Sequence, residues 1–444
     1  MLFLPFSNAF PSLLAMNLAV RLLVALVLVV PVAHGGASPA TKPPDTAGPF
    51  EAWWNGKRVT GDLFGLRPAV AERGLTVTGR WRGIYFGILE SENGSGNAFS
   101  QEIVFNAALD LGKALRWEAL EGLTAFGEGR WRDPGPDANP DNLVEADSLF
   151  NPSRYAGGSG WRMVNFGLRY APSSLFGVED LLTVQGGWLR PQQEFILQPV
   201  AQLFANNALA SSRGLGGNIP FSSSFSTWGG TLEVQPVEWQ YTKLGLFMSY
   251  PNPTSPGNHG LMFRGRGAEN GLFFIGETGV TPELGASKLP GKYAFGGYFY
   301  GEDTREFGSD KFGFYWLADQ MLWRESGDQG LRMFSLFYFA PAYNNDFSFY
   351  VHGGFAYEGL VPGRDRDQFM IGAAVGQYSY NDLLEARAAG EPEPGQTVLI
   401  EAGYRFRFND WSFAQPFAQY IVHPDGTDAV ADAAILGVFL GADF

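Results

Sequence analysis

The sequence contains no cysteine, and only 17% of its 444 residues are charged. A chain without thiols suits an oxidising compartment, where stray thiols are a hazard. Long apolar runs are also missing: after the N-terminal segment there is no stretch of about 18 apolar residues, which excludes membrane-spanning helices. A membrane protein without such runs must pair its backbone polar groups in a closed β-barrel.

Catalytic signatures are absent as well. The chain has four histidines and no Gly-x-Ser-x-Gly, His-Glu-x-x-His or Walker motif. The formal net charge of −14 argues against binding to nucleic acid or to anionic lipid surfaces. We therefore expect no enzyme activity, cofactor, metal site or nucleic-acid partner.

Glycine and aromatic residues are abundant instead, and they occur in an alternating pattern. In residues 434–444, Leu436, Val438, Leu440 and Phe444 would share one face of a strand, and Asp443 would lie on the other. One face suits lipid and the other suits water. The edge of a soluble sandwich would give the same pattern in this single segment.

Residues 398–408 alternate more strongly. Tyr404 and Phe406 share one face, whereas Glu401, Arg405 and Arg407 share the other. Repetition along the chain favours a barrel over a soluble sheet, because segments of about 10 residues with one polar parity are typical of outer-membrane barrels. Similar segments occur at residues 75–87, 123–131, 164–170, 228–236, 244–250, 293–300, 312–323, 347–357 and 369–375.

The connections alternate between short and long. Residues 324–330, 360–365 and 409–410 are short turns, while residues 301–311, 378–397 and 423–433 are longer loops. Short periplasmic turns and long external loops give this asymmetry. The length of the chain predicts an all-β transmembrane antiparallel barrel of about 16 strands, up to 18, which would leave an aqueous channel.

Three long insertions interrupt this rhythm, at residues 133–160, 199–227 and 251–292. Any of them could fold into the lumen and narrow it, and each could equally be a mobile surface loop.

The predicted organisation has three parts. Residues 1–37 resemble a cleaved signal peptide, with cleavage after Gly35 or Ala37 and a start at Met1 or Met16. A single membrane anchor is the alternative for this segment. Cleavage would remove only Arg21 among the charged residues and leave a net charge of −15. Residues 38–72 are then a periplasmic spacer with a short element, and residues 73–444 form the barrel.

Several stretches resemble the carbohydrate-selective porins of the OprB family. The similarity is dense from about residue 293 onwards and thin between residues 133 and 290. The similar stretches are residues 61–74, 313–324, 355–367, 409–411, 415–416 and 419–424. The resemblance implies a bacterial outer-membrane channel for passive diffusion of small sugars. A C-terminal strand ending in Phe444 also resembles the strand that the barrel assembly machinery recognises.

A sugar channel needs donors and acceptors that replace the waters of a polyhydroxylated solute without trapping it. Side chains of inward parity are the candidates for pore-lining and sugar contact. They are Arg80, Arg82, Glu128, Arg130, Arg169, Glu233, Tyr298, Tyr350, Glu401, Arg405 and Arg407. For each of them, cross-strand bracing of the wall is the alternative role. Arg364, Asp365 and Asp367 lie at a predicted turn, where we expect bracing.

Inward-facing aromatic rings are further candidates, as platforms for a sugar ring. These are Tyr298, Tyr300, Tyr350 and Phe417, whereas Trp81, Trp131, Trp188 and Trp411 are expected in the interfacial girdles.

The sequence is also compatible with other functions. The acidic net charge would suit a cation-preferring general porin, and an exporter of acidic polysaccharide would need a lining dominated by arginine. The mixture of inward Arg and Glu favours neutral solutes. A barrel hydrolase built on His352 and Ser348 is a further alternative. The sugar transported, and whether the chain is a monomer or a homo-oligomer, are not specified by the sequence.

Overall fold

Sixteen long strands follow one another around a closed antiparallel barrel in this computed structural model. The structure describes residues 48–135, 150–155, 159–211, 218, 226–248, 261, 271–301, 311–342, 345 and 347–444. The strands are β1 (Leu75–Glu90), β2 (Gly96–Asp110), β3 (Leu123–Asp133), β4 (Gly160–Tyr170), β5 (Leu182–Leu189), β6 (Thr227–Val237), β7 (Gln240–Met248), β8 (Leu272–Val280), β9 (Leu289–Tyr300), β10 (Lys311–Arg324), β11 (Gly330–Phe339), β12 (Phe347–Glu358), β13 (Gln368–Tyr378), β14 (Gln396–Arg407), β15 (Ser412–Val422) and β16 (Ala433–Asp443).

The ring closes between the first strand and the last. β1 and β16 are antiparallel, with Arg80 opposite Asp443 and Ile88 opposite Ile435. The terminal residue extends this ladder, because Phe444 and Gly79 exchange backbone hydrogen bonds of 2.7 and 2.9 Å. A closed ring has no free edge and pairs the backbone groups that lipid cannot solvate. The predicted all-β barrel of about 16 strands is therefore confirmed.

Side chains alternate between lipid and lumen as the sequence predicts. In β1, Trp81 and Tyr85 lie on the outer face, and Arg80 and Arg82 lie on the inner face. Further along the same inner face, the side chain of Phe86 is buried. The inner surface is thus charged near the start of β1 and apolar near its end.

The two ends of the barrel have different connections. Short turns join the strands at the end where Phe444 lies; they span residues 111–122, 171–181, 238–239, 281–288, 325–329, 359–367 and 408–411. At the opposite end, consecutive strands are separated in sequence by residues 91–95, 134–159, 190–226, 249–271, 301–310, 340–346, 379–395 and 423–432, of which the structure describes only the residues given above. The predicted difference between short turns and long loops is therefore present. Most of the long connections lie at one end.

The predicted third insertion, residues 251–292, was wrong in part because it contains β8 (Leu272–Val280). Phe273 and Ile275 are on the inner face of β8, and both have 0% of their surface exposed. Because they pack against apolar groups inside the barrel, the first half of β8 is apolar on both faces and lacks the alternation that identified strands such as β3 and β14. Glu277 is the polar residue on the inner face of its second half.

Short helices and turns occupy the connections. Their bounds are α1 (Pro49–Trp54), α2 (Leu66–Glu72), α3 (Leu111–Leu115), α4 (Pro191–Phe195), α5 (Asn207–Ser211) and α6 (Tyr380–Ala389), with 3-10 turns at Glu118–Leu120 and Ala201–Leu203. Two-residue strands occur at Ser174–Leu175, Val178–Glu179 and Glu283–Leu284. Among the described residues, no helix is long and apolar enough to cross a bilayer.

The segment before the barrel docks on its short-turn end. Val59 donates its backbone N–H to the carbonyl of Asp443 at 2.9 Å, and Trp53 packs 5.1 Å from Trp411. The predicted short element before residue 73 thus corresponds to α1 and α2. The predicted signal peptide, residues 1–37, lies outside the described residues.

Closure of the ring gives a test of stability. A Cβ atom at Gly79 would overlap the ring of Phe444, whereas nothing lies within 4 Å of a Cβ at Gly127, on the outer face of β3. We expect Gly79→Leu to destabilise the folded barrel by about 1–3 kcal/mol, the usual cost of overpacking. Gly127→Leu is the matched control. The measurement is the thermal midpoint at which the fast-migrating folded band disappears from gels; equal midpoints for the two variants would contradict the role of this contact.

Candidate functional site

A loop folds into the barrel from the long connection between β5 and β6. Its described part, residues 190–211, includes α4, α5 and the 3-10 turn Ala201–Leu203. We call residues 190–211 the inserted loop. Phe204, Ala205 and Leu209 each have 0% of their surface exposed, and Phe195 has 1%. The loop therefore fills part of the lumen with an apolar core, against which the apolar inner faces of the strands pack.

A buried carboxylate on β14 anchors the inserted loop. Glu401 accepts hydrogen bonds from the backbone N–H groups of Ala205 and Asn206, at 2.7 and 2.9 Å. The Asn206 side-chain amide donates to Gln419 on β15 at 3.1 Å. Bonds from N–H donors to a carboxylate are stronger than neutral ones, and 0% of Glu401 is exposed. Glu401 thus fixes the loop rather than facing open space.

A histidine and a tyrosine on β12 make the second anchor. A 2.9 Å contact joins His352 Nε2 to Gln198 Oε1, and Tyr350 donates its hydroxyl hydrogen to the carbonyl of Ala208 at 2.6 Å. Gln198 Nε2 also donates to the carbonyl of Ser335 on β11 at 2.9 Å. The loop is consequently hydrogen-bonded to the wall at β14 and also at β11 and β12.

A second segment, residues 150–155, lies beside the inserted loop. Arg154 donates its backbone N–H to the carbonyl of Ala205 at 2.8 Å, and Gln419 Nε2 donates to the carbonyl of Pro152 at 3.0 Å. Described parts of two of the three predicted insertions therefore lie inside the barrel. The remaining residues of those insertions, except 133–135, 159–160, 218 and 226–227, are outside the described part.

Between the inserted loop and the short-turn end lies a cavity of about 400 Å³. Arginine dominates its wall, and the carboxylates on it are Glu102 and Asp443. The arginines that line the cavity are Arg80, Arg82, Arg130, Arg132, Arg154, Arg190, Arg405 and Arg407. Glutamine and aromatic side chains complete the wall: Gln192, Gln193, Gln202, Tyr155, Trp411, Phe413 and Phe439.

Carboxylates hold some of these arginines in place. Arg130 lies 3.0 Å from both Glu102 and Glu128. Arg132 also contacts Glu102, at 2.5 Å, and Arg190 reaches Glu128 at 3.0 Å. The result is an alternating chain of cations and anions that fixes each guanidinium by more than one bond.

Other arginines are held by neutral partners. Arg405 stacks 4.1 Å over the ring of Phe413 and donates to Gln415 Oε1 at 2.7 Å. Its guanidinium also donates to the carbonyl of Leu203 in the inserted loop, at 3.2 Å. Arg154 donates to the carbonyl of Gln202 at 3.0 Å and also contacts the Gln202 side chain. These cations are positioned without being neutralised.

Burial and neighbouring cations shift the pKa values of the two arginines in the loops, Arg154 and Arg190. Burial, followed by repulsion from Arg130, lowers the pKa of Arg190 to about 10, and burial lowers the pKa of Arg154. At neutral pH both guanidinium groups nevertheless stay charged, because even the lowered pKa of Arg190 is well above 7.

Acidic and basic groups also face each other on the strands across the barrel. Glu277 on β8 accepts hydrogen bonds from Tyr241 at 2.6 Å and from Tyr315 at 2.9 Å. Lys243 on β7 lies 3.2 Å from Glu194 and 3.5 Å from Glu233. This wall has no comparable excess of arginine among its described residues.

The structure separates the predicted pore residues into groups. Those on the cavity wall are Arg80, Arg82, Arg130, Arg405 and Arg407, and Glu128 lies behind them, bonded to Arg130 and Arg190. Glu401 and Tyr350 lie beneath the inserted loop. The hydroxyl groups of Tyr298 and Tyr338 share a hydrogen bond of 2.6 Å, and Glu233 forms an ion pair with Lys243 at 3.5 Å. Arg169 lies on the inner face, opposite Thr124 and Gln185 in the strand register.

Some cavity residues had no sequence signal that predicted them. Arg154 and Arg190 are in loops, where no periodicity indicates direction. Glu102 and Arg132 are different: β2 and β3 place them opposite each other, with Glu102 also opposite Arg82. Extending the alternation of residues 123–131 by one residue would have found Arg132.

Aromatic side chains depart from expectation in two ways. The predicted sugar platforms Tyr298, Tyr300, Tyr350 and Phe417 are 0–4% exposed, so none presents an open ring face. Trp411 was expected in a girdle, and this was wrong: it lines the cavity and packs against Trp53 and Trp54.

Comparisons with known proteins agree with this architecture. A family model described as "Carbohydrate-selective porin, OprB family" matches residues 95–444. Porin B of Pseudomonas aeruginosa is 23% identical over 424 residues, which cover 86% of this chain and 90% of that protein. A high-pH structure of Pseudomonas putida OprB is similar with a TM-score of 0.77 and 22% identity, covering 88% of this chain and 99% of that one. A low-pH structure of the same protein gives a TM-score of 0.57 at 18% identity, with the same coverage.

The anchor of the inserted loop gives a second test. In Glu401→Gln, an NH₂ group replaces one of the two oxygens that accept backbone N–H bonds, so one donor in the loop loses its partner. We expect the closed position of the loop to lose about 1.5–3 kcal/mol, the range for bonds to charged groups. The loop should then be cut faster by protease and give a noisier channel current.

Glu391→Gln, at an exposed position in the connection between β13 and β14, is the control. Wild-type cleavage rate and current noise in Glu401→Gln would show that Glu401 does not anchor the loop.

Proposed function

The chain belongs to the carbohydrate-selective porin family OprB, and from this we infer that it is a bacterial outer-membrane channel through which small carbohydrates diffuse passively. The observation that carries the inference is the polar cavity beneath the inserted loop of a closed barrel. A barrel of 16 strands is wide enough for an aqueous channel, and the loop narrows it to a size that can contact a single solute.

We propose that the cavity wall replaces the hydration shell of the sugar. Each guanidinium group offers five N–H donors in a fixed fork, and Glu102 and Asp443 offer acceptors. A hydroxyl group that leaves water can donate to the acceptors and accept from the donors in turn. Because the groups are held by their neighbours, little further ordering is needed when a solute enters.

Within the predicted set, Arg80, Arg82, Arg130, Arg405 and Arg407 are the proposed sugar contacts. Leu197 and Pro199 of the inserted loop add exposed apolar surface to the same cavity, against which the C–H face of a sugar ring can pack. Glu128 is proposed to position Arg130 and Arg190. For Arg169, Glu233, Tyr298, Tyr350 and Glu401 we propose structural roles, since each lies outside the cavity wall.

A cation-preferring general porin has less support. The preference for cations was expected from the negative net charge of the whole chain. The cavity wall itself has eight arginines and two carboxylates, so its local charge is positive. Cations would meet a repulsive potential there. The mixture of inward Arg and Glu, which favoured neutral solutes, is weighted toward arginine at the cavity wall.

A hydrolase built on His352 also has little support. His352 is 1% exposed, and its two ring nitrogens contact Tyr350 and Gln198. Those contacts suit a structural histidine that holds the inserted loop. The membership of a porin family favours a transporter that catalyses no reaction.

The proposed partners are sugars, outer-membrane lipid and the assembly machinery. We propose that the machinery recognises the strand that ends in Phe444, whose ring packs 5.4 Å from Phe105 on the outer surface. Homo-oligomerisation stays a prediction.

The function is tested by single-channel conductance in a planar bilayer, titrated with glucose and then with a disaccharide. We expect saturable block by glucose and a weaker effect of the disaccharide. Arg82→Gln should weaken glucose block about tenfold, because it removes charge-assisted donors from the cavity. Arg73→Gln, an exposed position before β1, is the charge-matched control.

A current that sugar does not affect would contradict carbohydrate selectivity and favour a general porin. Loss of block in Arg73→Gln as well would show that the effect of Arg82→Gln is not local.

Esterase activity of the refolded protein tests the enzyme alternative. We expect no turnover of short-chain esters above the detergent blank, because His352 is enclosed by the loop and the wall. Turnover that disappears in His352→Ala would overturn the assignment as a simple channel.

A further inference from the structure

We propose that the cavity prefers small sugar acids, monosaccharides that carry one carboxylate, over neutral sugars of the same size. The proposal rests on the proposed channel function and adds the charge of the preferred solute. Its basis is the balance of charges on the cavity wall and the way in which the wall's own carboxylates are already engaged.

The cavity has an excess of positive charge. Eight arginines line it, against the carboxylates of Glu102 and Asp443, and Glu128 lies directly behind. This sign is opposite to the net charge of −14 for the whole chain. A narrow cavity with walls of low dielectric concentrates such a field, so the local sign decides which ions enter.

Four of these cations have no acidic partner. Among the described residues, no carboxylate oxygen lies within 4.0 Å of a guanidinium nitrogen of Arg80, Arg154, Arg405 or Arg407. Arg80 is exposed and Arg407 is half-buried, so their donors are open to the cavity. The forked guanidinium group matches the two oxygens of a carboxylate, which makes these positions suited to an acidic solute.

The acids on the wall are less available than the cations. The Glu102 side chain is 3% exposed and contacts both Arg130 and Arg132. The Asp443 side chain is 40% exposed, but Arg82 already donates to it at 2.6 Å. Behind the wall, Glu128 contacts Arg130 and Arg190. A neutral sugar would therefore find many donors and few acceptors that are not already bonded. An acidic sugar needs donors most of all, because its carboxylate only accepts.

The loop arginines add a second reason. Arg190 is buried and Arg154 is half-buried, both near other cations, and the pKa of each is lowered by desolvation and by neighbouring guanidinium groups. A solute that brings a negative charge offsets this repulsion, whereas a neutral solute leaves it in place. An anionic solute in the cavity thus stabilises the charged forms of Arg154 and Arg190.

Apolar side chains of the inserted loop explain why the preferred anion is a sugar rather than chloride or phosphate. Leu197 and Pro199 line the same cavity as Arg405 and Arg407, and both are exposed. A pyranose ring can pack its C–H groups on these side chains while its carboxylate meets the guanidinium groups. Glutamines of the inserted loop, Gln192 and Gln193, supply both donors and acceptors for hydroxyl groups.

The test compares glucuronate and glucose as blockers of single-channel current at neutral pH. We expect glucuronate to block at a concentration about tenfold lower than glucose, the effect of one bond to a charged group. In a gradient of KCl, the zero-current potential should have the sign for preferential passage of chloride. Equal block by the two sugars, or a potential with the sign for potassium, would overturn the proposal.

Two variants locate the effect. Arg80→Gln and Arg407→Gln each remove a cation that has no acidic partner, so neither leaves a buried carboxylate unpaired. We expect each to weaken glucuronate block by about tenfold and glucose block by less. Arg73→Gln, which changes the total charge by the same amount outside the cavity, should behave as wild type. If all three variants behave alike, the preference does not arise in this cavity and the proposal fails.

The outcomes distinguish this proposal from the channel function. Block by glucose alone would support the carbohydrate channel and overturn the preference for sugar acids. Absence of any channel would overturn both. A short oligomer of galacturonate that blocks more tightly than galacturonate itself would assign the cationic wall to an acidic polysaccharide and overturn the monosaccharide preference.

Discussion

The need to pair every backbone N–H and C=O group within the bilayer determines the rest of this structure. Lipid offers these groups no partner, so the sheet has to close, and it does so where β1 meets β16. Closure gives each strand one face toward lipid and one toward the lumen. The alternation of Trp81 and Tyr85 with Arg80 and Arg82 is the direct result. Charged side chains can exist at membrane depth here because the same closure keeps them away from lipid.

A closed barrel of this size creates a second requirement, because 16 strands enclose more space than their own side chains fill. The inserted loop fills this space with an apolar core. Glu401 accepts hydrogen bonds from the backbone N–H groups of Ala205 and Asn206, so these buried groups of the loop have partners. The inner wall therefore has two regions. It is apolar where it supports the loop, as at Phe334, whose ring lies 5.4 Å from that of Phe204, and charged where it borders the cavity.

This division explains what the sequence could predict. Strands whose inner face borders the cavity, such as β3 and β14, alternate clearly, and parity alone found their inward residues Arg130, Arg405 and Arg407. Arg132 was missed because the predicted segment ended one residue earlier. β8 escaped detection because Phe273 and Ile275 on its inner face are apolar and buried, with Phe273 packed against Phe247 and Tyr298 of the two neighbouring strands. Arg154 and Arg190 were missed for another reason: the direction of a loop side chain depends on contacts such as Glu128 with Arg190, which no local periodicity encodes. Tyr298, Tyr350 and Glu401 had the right parity, but parity gives only the face of a strand and not what covers it.

The net charge of the chain does not predict the charge of the cavity. The net charge of −14 is a sum over all surfaces, whereas a solute in the cavity interacts with groups a few ångströms away. Those groups are mainly guanidinium, and contacts within and behind the cavity wall hold them close together. Glu128 holds Arg190, Phe413 stacks under Arg405, and the carbonyl of Gln202 accepts from Arg154. Barrel, inserted loop and second segment each contribute arginines to one space, so the cationic site exists only once all three are assembled. Its selectivity is thus a property of the folded lumen, and acidic residues elsewhere on the chain affect it little, because salt screens exposed charges beyond about 10 Å.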